Sequence, residues 1–427
     1  MSVILWFKND LRIRDNAALY EAIQSKEIII PLYCFSKSQF EINAFGFRKT
    51  GVFRAQFLLE SLKDLDTQLR ILGSGLLVKY GIAEEIIPEL VKTYGVSKVI
   101  TSSEVGLDEI AQINHLNEQL KSVNCDLQLT NDNALLDLKD FSMEVNQVSD
   151  IFTNFRHQVE KKWMIREEYP SIEKFKSIDL PELKLPELSE LGFDELNFDE
   201  RSVLEFKGGE SEGLKRVAYY FEQTRLVSTY KQTRNGMIGG DYSSKFSPWL
   251  AMGCISARTI YHELKAYELM HGDNESTYWL IFELLWRDYF RIMMRKYPSQ
   301  FFLKKGLGKY RVNLHVKNDI KFEQWINGKT DNEFINSNML ELKYTGFMSN
   351  RGRQNVASYL CHNLKCDWRY GAAYFEEMLI DYDVSSNWCN WAYLAGVGND
   401  PIKNRVFNPE KQAQQYDGDG AFRRLWL

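Results

Sequence analysis

The amino-acid sequence predicts an α/β domain with a parallel, Rossmann-like sheet, followed by a connector and an all-α domain. Two observations support this division. In roughly the first 130 residues, short apolar runs alternate with helix-like stretches, and after residue 212 strand signals become rare. A chain of 427 residues is also too long for one compact core and suits two domains.

The alternation in the first part can be followed element by element. Buried strands are predicted at residues 3–7, 28–35, 76–80, 98–101 and 127–130. Helices are predicted between them, at residues 16–24, 52–72, 83–94 and 108–123. Such alternation produces a parallel sheet with helices on both faces, and the ligands of such sheets lie beyond the carboxyl ends of the strands. We therefore assign residues 1–130 to an α/β domain.

The next part of the chain reads as a connector. Between about residues 166 and 213, Pro170, Pro181 and Pro186 are interleaved with Glu, Asp and Leu, which predicts an acidic segment lying over the surface. We place the linker at residues 131–211 and the helical domain at residues 212–427.

Composition restricts the class of protein. No apolar run reaches ~18 residues and the start has no signal-peptide pattern, so we expect a cytoplasmic protein without a membrane span. The six cysteines form no C-x-x-C pair, which disfavours a zinc or iron–sulfur site.

Aromatic residues make up 14% of the chain and include ten Trp. They indicate either a large aromatic core or stacking platforms for a cofactor or bases, and composition alone favours the core.

The charge of the chain neither indicates nor excludes binding of nucleic acid. A net charge of −5 argues mildly against it, but DNA responds to local patches rather than to a whole-chain sum. Such a patch could be built from Lys161, Lys162, Arg351, Arg353, Lys403, Arg405, Arg423 and Arg424.

Several common catalytic patterns are missing from the sequence. There is no G-x-G-x-x-G after the first strand, no Walker A sequence, no Ser-His-Asp pattern and no histidine cluster for a metal. These absences disfavour a dinucleotide oxidoreductase, an NTPase, a hydrolase and a metalloenzyme. A bound organic cofactor is then the expected source of any chemistry.

Two polar segments of the helical part have a functional and a structural interpretation. Residues 241–250 bring three serines and Lys245 to a helix start, which suits a phosphate, although the segment taken alone favours an ordinary helix cap with Pro248 at the first helical position. Along residues 279–291, Glu283, Trp286 and Phe290 share one face. That face could hold a polar ligand between rings, or Glu283 could simply pair with Arg287 on the surface.

Two further segments are polar. Residues 346–355 present polar groups at another helix start. Residues 381–391 place two acids and an amide in a loop whose spacing does not match an EF-hand, so we favour a polar ligand over a metal there.

Taken together, these segments resemble the photolyase/cryptochrome family over nearly the whole chain. The matching stretches are residues 5–12, 243–250, 283–290, 345–355 and 381–393. The sequences TGFMSNRGRQ at residues 345–354 and GVGNDP at residues 396–401 are typical of the DASH branch.

The resemblance implies FAD inside the helical domain. Arg353 is expected to pair with Asp381 near the isoalloxazine ring, and Asp383 to lie at the flavin edge. Asn387 is expected to face flavin N5, where an amide can hydrogen-bond either protonation state. The residues implied around the phosphates and sugars are Tyr230, Ser243, Ser244, Lys245, Phe246 and Ser247.

It also implies a pocket for damaged DNA above the flavin. Glu283 would hydrogen-bond a pyrimidine dimer, Trp286 would stack on it, and Asn350 would add a polar contact. Residues implied to contact the strand are Arg234, Arg287 and Gln412. Gln354 and Tyr393 would make the pocket more polar than in duplex-acting photolyases. Contacts between the flipped bases and this pocket would then offset less of the free energy that is needed to unstack the bases from a duplex.

The implied activity is light-driven electron transfer. Excited reduced FAD donates an electron to the cyclobutane dimer, the ring opens, and the electron returns. The resemblance further implies a 5,10-methenyltetrahydrofolate antenna at the domain interface, held by Glu104.

The chain also departs from the family pattern. Trp391 and Trp368 match the first two tryptophans of the electron chain that reduces the flavin, but the outer position aligns with His315. Tyr310 or Trp325 could replace that outer donor. Lys8 stands where arginine is usual, and Asn336 and Leu340 replace an acid and a base.

From these expectations we derive a leading hypothesis and an alternative. The leading one is a monomeric deoxyribodipyrimidine photo-lyase that acts on single-stranded DNA, with Glu283, Trp286 and Asn387 as its catalytic residues. The alternative is a blue-light photoreceptor that binds DNA without efficient repair. The two differ in whether Glu283, Trp286 and Asn350 meet a substrate.

Overall fold

The structure is a computed structural model that describes residues 2–131, 133–308, 319–402 and 405–427. Its amino-terminal part is a five-stranded parallel sheet in the order β3-β2-β1-β4-β5. The strands are β1 (Ser2–Phe7), β2 (Ile28–Phe35), β3 (Leu77–Tyr80), β4 (Val96–Ser102) and β5 (Asp126–Thr130). The predicted parallel sheet is confirmed. The strand order reverses at β1 and β4, and in such sheets this reversal opens a crevice beyond the carboxyl ends of the two strands.

Four helices connect these strands, as the alternation predicts. They are α1 (Ala17–Gln24), α2 (Val52–Ile71), α3 (Ala83–Tyr94) and α4 (Leu107–Ser122). One apolar cluster fills the face of the sheet that carries α1 and α2 and continues into the helical part. A second cluster fills the opposite face under α3 and α4. Both faces of the sheet are therefore covered, which explains why β1 is buried along its whole length.

The segment between the two parts contains a helix that the sequence analysis did not predict. This helix, α5 (Phe152–Glu160), buries Phe152, Phe155 and Val159. From there the chain runs without regular structure to residue 209, except for an isolated bridge between Ser177 and Ile29 of β2. The segment thus adds one apolar helix face to the core and otherwise lies along the surface of the molecule.

The carboxy-terminal part is helical, as predicted. Its helices are α6 (Glu210–Ala218), α7 (Tyr230–Thr233), α8 (Ser247–Met252), α9 (Ala257–His271), α10 (Glu275–Lys296), α11 (Asp319–Ile326), α12 (Glu333–Thr345), α13 (Asn350–Ser358), α14 (Trp368–Met378), α15 (Val384–Leu394), α16 (Pro409–Tyr416) and α17 (Ala421–Trp426). Within the described ranges, no helix is long and apolar enough to cross a membrane.

The two unusual residues of α12 have a structural explanation. Asn336 accepts hydrogen bonds from the backbone N–H and hydroxyl of Thr330, and its amide donates to the Thr330 carbonyl at 2.8 Å. Leu340 packs against an apolar cluster formed by Met237, Phe334, Ala413, Phe422 and Trp426. An amide and an apolar side chain therefore hold this region where an acid and a base would be expected.

Candidate functional site

A cavity of about 420 Å³ opens within the helical part. Its walls come from α7, the loop before α8, α10, α13 and α15. Predicted cofactor residues that line it are Tyr230, Ser243, Ser244, Lys245, Phe246, Ser247, Arg353 and Asp381. Predicted DNA residues that line it are Arg234, Glu283, Trp286, Arg287, Asn350, Gln354 and Tyr393. Segments far apart in sequence thus meet around one space of ligand size.

The loop before α8 forms one wall through an unusual conformation. Lys245 has φ of +61°, in the left-handed region that side chains other than glycine rarely adopt. Its ammonium lies 2.9 Å from the Tyr242 ring centroid and 3.0 Å from the Ser243 hydroxyl oxygen. Burial lowers the pKa of Lys245 well below its usual value. An anionic group in the cavity would restore the charged form.

An ion pair also lines the cavity. Arg353 of α13 and Asp381, which lies between α14 and α15, are joined at 2.8 Å. Arg353 also donates to the Met348 carbonyl, which fixes the plane of its guanidinium. The second carboxylate oxygen of Asp381 is shielded and has no hydrogen-bond partner among the described residues. Since a buried acceptor is costly to leave unpaired, this oxygen is available to a ligand donor.

Glu341 of α12 lies near this pair and was missed by the sequence analysis. Burial raises its pKa to about 8, although the charges of Lys245 and Arg353 lower it. Both carboxylate oxygens are shielded from solvent, and a hydrogen bond from the Ser349 backbone also lowers the pKa. The sequence signal was weak, because a glutamate in an amphipathic helix is ordinarily on the solvent face.

Glu283 and Arg234 form an ion pair at the cavity wall. Glu283 lies on α10 and Arg234 directly follows α7, and both side chains remain partly exposed. The simpler alternative, a surface pair between Glu283 and Arg287, is not what the structure shows. Arg287 is partly buried and donates instead to the backbone carbonyls of Asn133 and Leu250.

Trp286 lies on the same helix and is held by α5. Its ring is stacked on Phe152, with centroids 3.7 Å apart and planes 12° apart. Tyr393 meets Trp286 edge-on at 6.0 Å. Phe152 is therefore a neighbour of the site that the sequence analysis missed. The apolar residues at positions 152, 155 and 159 have helical spacing, a signal that could have revealed it.

Three of the residues predicted to contact FAD or DNA do not line this cavity. Asn387 is buried in α15 and donates to the Ala372 carbonyl at 3.0 Å. Asp383 caps α15 and lies 3.5 Å from Arg291, whose charge holds the pKa of Asp383 below its usual value although burial raises it. Gln412 of α16 accepts from Asn355 at 3.3 Å.

Glu104 lies in a second cavity, of about 520 Å³, at the carboxyl ends of β1 and β4. It accepts from the Asn9 amide at 3.3 Å and lies 3.9 Å from Arg291. Three atoms of this cavity's lining residues are shielded and have no hydrogen-bond partner among the described residues. They are Lys8 Nζ, Gln39 Oε1 and Arg54 Nη1. The walls thus present both donors and acceptors to a polar ligand.

The aromatic residues proposed for electron transfer are buried. Trp391 contacts the rings of Trp325 and Phe375, at 6.1 and 5.1 Å between centroids. Trp368 contacts Trp388 at 5.8 Å. His315 and Tyr310 lie outside the described residues. Trp325 is fully buried.

Comparison with known families agrees with this arrangement. The family described as "DNA photolyase" matches residues 3–175, and the family described as "FAD binding domain of DNA photolyase" matches residues 279–427. The fold and the cavity therefore define a protein of the photolyase/cryptochrome class with an FAD-binding helical domain.

Individual relatives specify the branch. The chain is 46% identical over its whole length to cryptochrome DASH of Gloeobacter violaceus, covering 85% of that protein, and 44% identical to that of Synechocystis, covering 87%. It also matches the crystal structure of the Synechocystis sp. PCC6803 cryptochrome with a TM-score of 0.96 and 44% identity, over 100% of this chain and 88% of the other. The chain belongs to the cryptochrome DASH family.

The residues around the first cavity fit FAD. Lysine and hydroxyl groups on one wall suit phosphate oxygens, and the Arg353–Asp381 pair on another offers an unpaired acceptor. The Tyr242 hydroxyl, also shielded and unpartnered within the described residues, adds a further polar group. Apolar and aromatic side chains between these walls can cover a ring system.

Proposed function

We propose that this protein uses blue light and reduced FAD to split cyclobutane pyrimidine dimers in single-stranded DNA. One observation carries the proposal. Glu283, Trp286 and Asn350, the residues suited to a flipped dimer, line the same cavity as the FAD-binding loop and the Arg353–Asp381 pair. A lesion in this cavity would be close to the cofactor, and proximity is the main requirement for electron transfer.

The FAD end of the proposed site is built from charge and hydroxyl groups. Ser243, Ser244 and Ser247 donate to phosphate oxygens. The ammonium group of Lys245, which lies against the Tyr242 ring, supplies positive charge. Arg353 and Asp381 hold the polar edge of the ring system. Asn387 belongs to α15 and Asp383 caps that helix, so both lie next to residues that line the cavity. In this proposal they contact the flavin edge.

The lesion end uses one carboxylate and one indole. Glu283 accepts a hydrogen bond from a pyrimidine N–H, and its pairing with Arg234 orients the carboxylate. Trp286 provides a stacking surface, since the Phe152 ring restricts its rotation. When bound and reduced, FAD supplies the light-excited electron that opens the cyclobutane ring and accepts it back. The protein positions the lesion and excludes water.

The proposed preference for single-stranded DNA follows from the polar side chains that line part of the first cavity. Gln354 and Tyr393 line the cavity on the side of α13 and α15. Polar side chains return less free energy to flipped bases than apolar ones would, whereas unstacking a duplex costs a few kcal/mol. Arg287 and Gln412 are the further strand contacts in this proposal.

We also propose that the second cavity holds 5,10-methenyltetrahydrofolate as an antenna. Glu104 accepts from the donor edge of the pterin ring, and the unpartnered Lys8 and Arg54 atoms meet its acceptor groups. In this proposal the protein acts as a monomer in the cytoplasm. Size-exclusion chromatography tests the first statement and cell fractionation tests the second.

Illumination of the dithionite-reduced protein with dimer-containing oligothymidylate tests the main proposal. Recovery of thymine absorbance in the nucleic-acid ultraviolet band is expected with the single strand, and little recovery is expected with the same lesion in a duplex. A protein that binds the oligonucleotide but restores no absorbance under light would refute the repair function.

A further inference from the structure

Trp388 occupies an unexpected place beside the proposed electron-transfer residues. It lies on α15 directly after Asn387 and is buried. Its indole meets that of Trp368 at 5.8 Å, nearly perpendicular, and the Phe302 ring at 4.8 Å. Contact between two indoles allows an electron to move from one to the other without an intervening residue.

The indole N–H of Trp388 leads into a chain of titratable groups. It donates to the Tyr382 hydroxyl at 3.2 Å, and Tyr382 in turn hydrogen-bonds the Glu376 carboxyl. Glu376 lines the cavity at the domain interface. The Arg54 guanidinium lies 4.5 Å from the Tyr382 ring centroid. The buried indole is thereby connected, through two hydrogen bonds, to a carboxyl group at the wall of a large cavity.

Trp368 and Trp325 donate instead to backbone carbonyls. Trp368 donates to the Lys304 carbonyl at 3.1 Å, and Trp325 donates to the Val356 carbonyl at 3.1 Å. A backbone carbonyl cannot keep a proton at neutral pH. If either of these indoles were oxidised, the radical would remain a buried cation, which is costly in a medium of low polarity.

Glu376 is suited to receive a proton. Burial raises its pKa to about 7, although Arg54 lowers it. The groups that face it are Arg54, Tyr382, Glu109 and Lys49, which belong to four different segments. The nearby carboxylate of Glu109 raises its proton affinity and the two cations reduce it, so both protonation states are accessible near neutral pH.

We propose that Trp388 is the outer indole donor of the electron chain and that its proton leaves through Tyr382 to Glu376. The inference rests on the proposed light-driven function, in which photoexcited oxidised flavin is the oxidant. An electron moves from Trp388 to the oxidised Trp368. The Trp388 N–H bond breaks, its proton passes to the Tyr382 oxygen, and the Tyr382 O–H proton passes to Glu376. A neutral indole radical remains, and an external thiol returns the electron and the proton.

Transient absorption of the oxidised holoprotein after a laser flash tests this inference. The neutral and cationic indole radicals differ in their visible bands, so the protonation state is read directly and independently of repair. The wild type should form a neutral radical more slowly in D₂O than in H₂O. Trp388→Phe should lose this long-lived radical, whereas the control Trp325→Phe should retain it.

Tyr382→Phe provides the sharper test, because it keeps the ring but removes the hydroxyl. The indole radical should then stay cationic and recombine about tenfold or more faster, since the positioned proton acceptor is gone. Glu376→Gln should have the same effect. The visible flavin band of each variant reports FAD content and shows whether the helical domain has folded.

The outcomes separate this inference from the proposed function. A neutral radical that forms normally in Trp388→Phe, or in Tyr382→Phe with full FAD content, would overturn the inference. Repair by the dithionite-reduced protein needs no tryptophan donor. Failure of repair in the chemically reduced wild type would therefore count against the function alone.

Discussion

The rings of Phe152 and Trp286 lie face to face, 3.7 Å apart between centroids and 12° from parallel. Phe152 comes from α5, the helix that precedes the long surface segment, whereas Trp286 comes from α10 in the helical domain. Phe282 adds an edge-on contact to Phe152, with the ring centroids 5.2 Å apart. The orientation of the proposed stacking surface thus depends on a residue from outside the FAD-binding domain.

Replacing Phe152 should therefore affect repair without removing FAD. Phe152→Ala opens a space behind Trp286 and should destabilise the protein by about 3–5 kcal/mol, as is usual for buried phenylalanine. Phe152→Leu keeps most of the apolar volume but removes the flat ring, so it should fold and bind FAD while repairing more slowly. The rate of thymine recovery, normalised to FAD content, is the measurement. Wild-type repair by Phe152→Leu would contradict a positioning role.

The sequence predicted the fold well because its signals are local. The five strands are apolar runs separated by amphipathic helices, and the predicted bounds differ from the observed ones by at most two residues. The segment around α5 shows the limit of this reasoning. Prolines and acidic residues downstream dominate its composition, so three apolar residues at helical spacing were not recognised as a helix.

The site was harder to predict because its contacts are not local. The sequence motifs indicated which residues take part, but a motif does not reveal that Glu283 pairs with Arg234 rather than with Arg287. Likewise, burial of Glu341 and Lys245 depends on the packing of α12 against the loop before α8. Pairings of this kind are set by tertiary packing, which spacing along the chain does not encode.

Arg353 should be required for FAD retention. Arg353→Ala leaves Asp381, itself buried, without its positive partner, and breaking a buried pair in this way typically costs about 3–5 kcal/mol. The variant should purify without the yellow colour of flavin. Arg353→Lys, which keeps the charge but loses the planar hydrogen bonds, should retain part of it. The measurement is the ratio of visible flavin absorbance to protein absorbance, with circular dichroism as the folding control. Full FAD occupancy in Arg353→Ala would contradict the assignment.

Glu283 should be needed for repair but not for folding. Its side chain is partly exposed, and a hydrogen bond that involves a charged group contributes roughly 1.5–3 kcal/mol. Glu283→Ala should therefore reduce repair of single-stranded DNA about ten- to a hundredfold while leaving FAD content unchanged. Glu283→Gln keeps an acceptor without the charge and should be intermediate. If Glu283→Ala repairs the oligonucleotide at the wild-type rate, this carboxylate does not recognise the dimer.

Glu104 should be required for the antenna. Folate absorbs in the near-ultraviolet beyond the contribution of FAD, so its occupancy can be read from the absorption spectrum of the protein. Glu104→Ala should lose this absorption, because the carboxylate that accepts from the pterin is missing. Glu84→Gln alters a different wall of the same cavity and serves as the control. Loss in the control but not in Glu104→Ala would move the folate contact to the side of α3.

The carboxyl of Glu109 should make stability depend on pH. Burial, followed by repulsion from Glu104, raises the pKa of Glu109 to about 7. The folded protein then keeps this proton up to about pH 7, whereas the unfolded chain loses it near 4.5. Because the folded state binds more protons across this interval, the contribution of Glu109 to stability falls as the pH rises through it and stays low above it.

Glu109→Gln should remove this dependence. The variant should match the wild type near about pH 5 and exceed its free energy of unfolding by about 1–2 kcal/mol at about pH 8.5, after allowance for partial solvent screening. Thermal unfolding of the folate-free protein at the two pH values measures the difference. Asp108→Asn is the matched control, since the neighbouring Asp108 side chain is 75% exposed. An equal pH dependence in Glu109→Gln and the wild type would show that Glu109 is ionised in the folded protein at neutral pH.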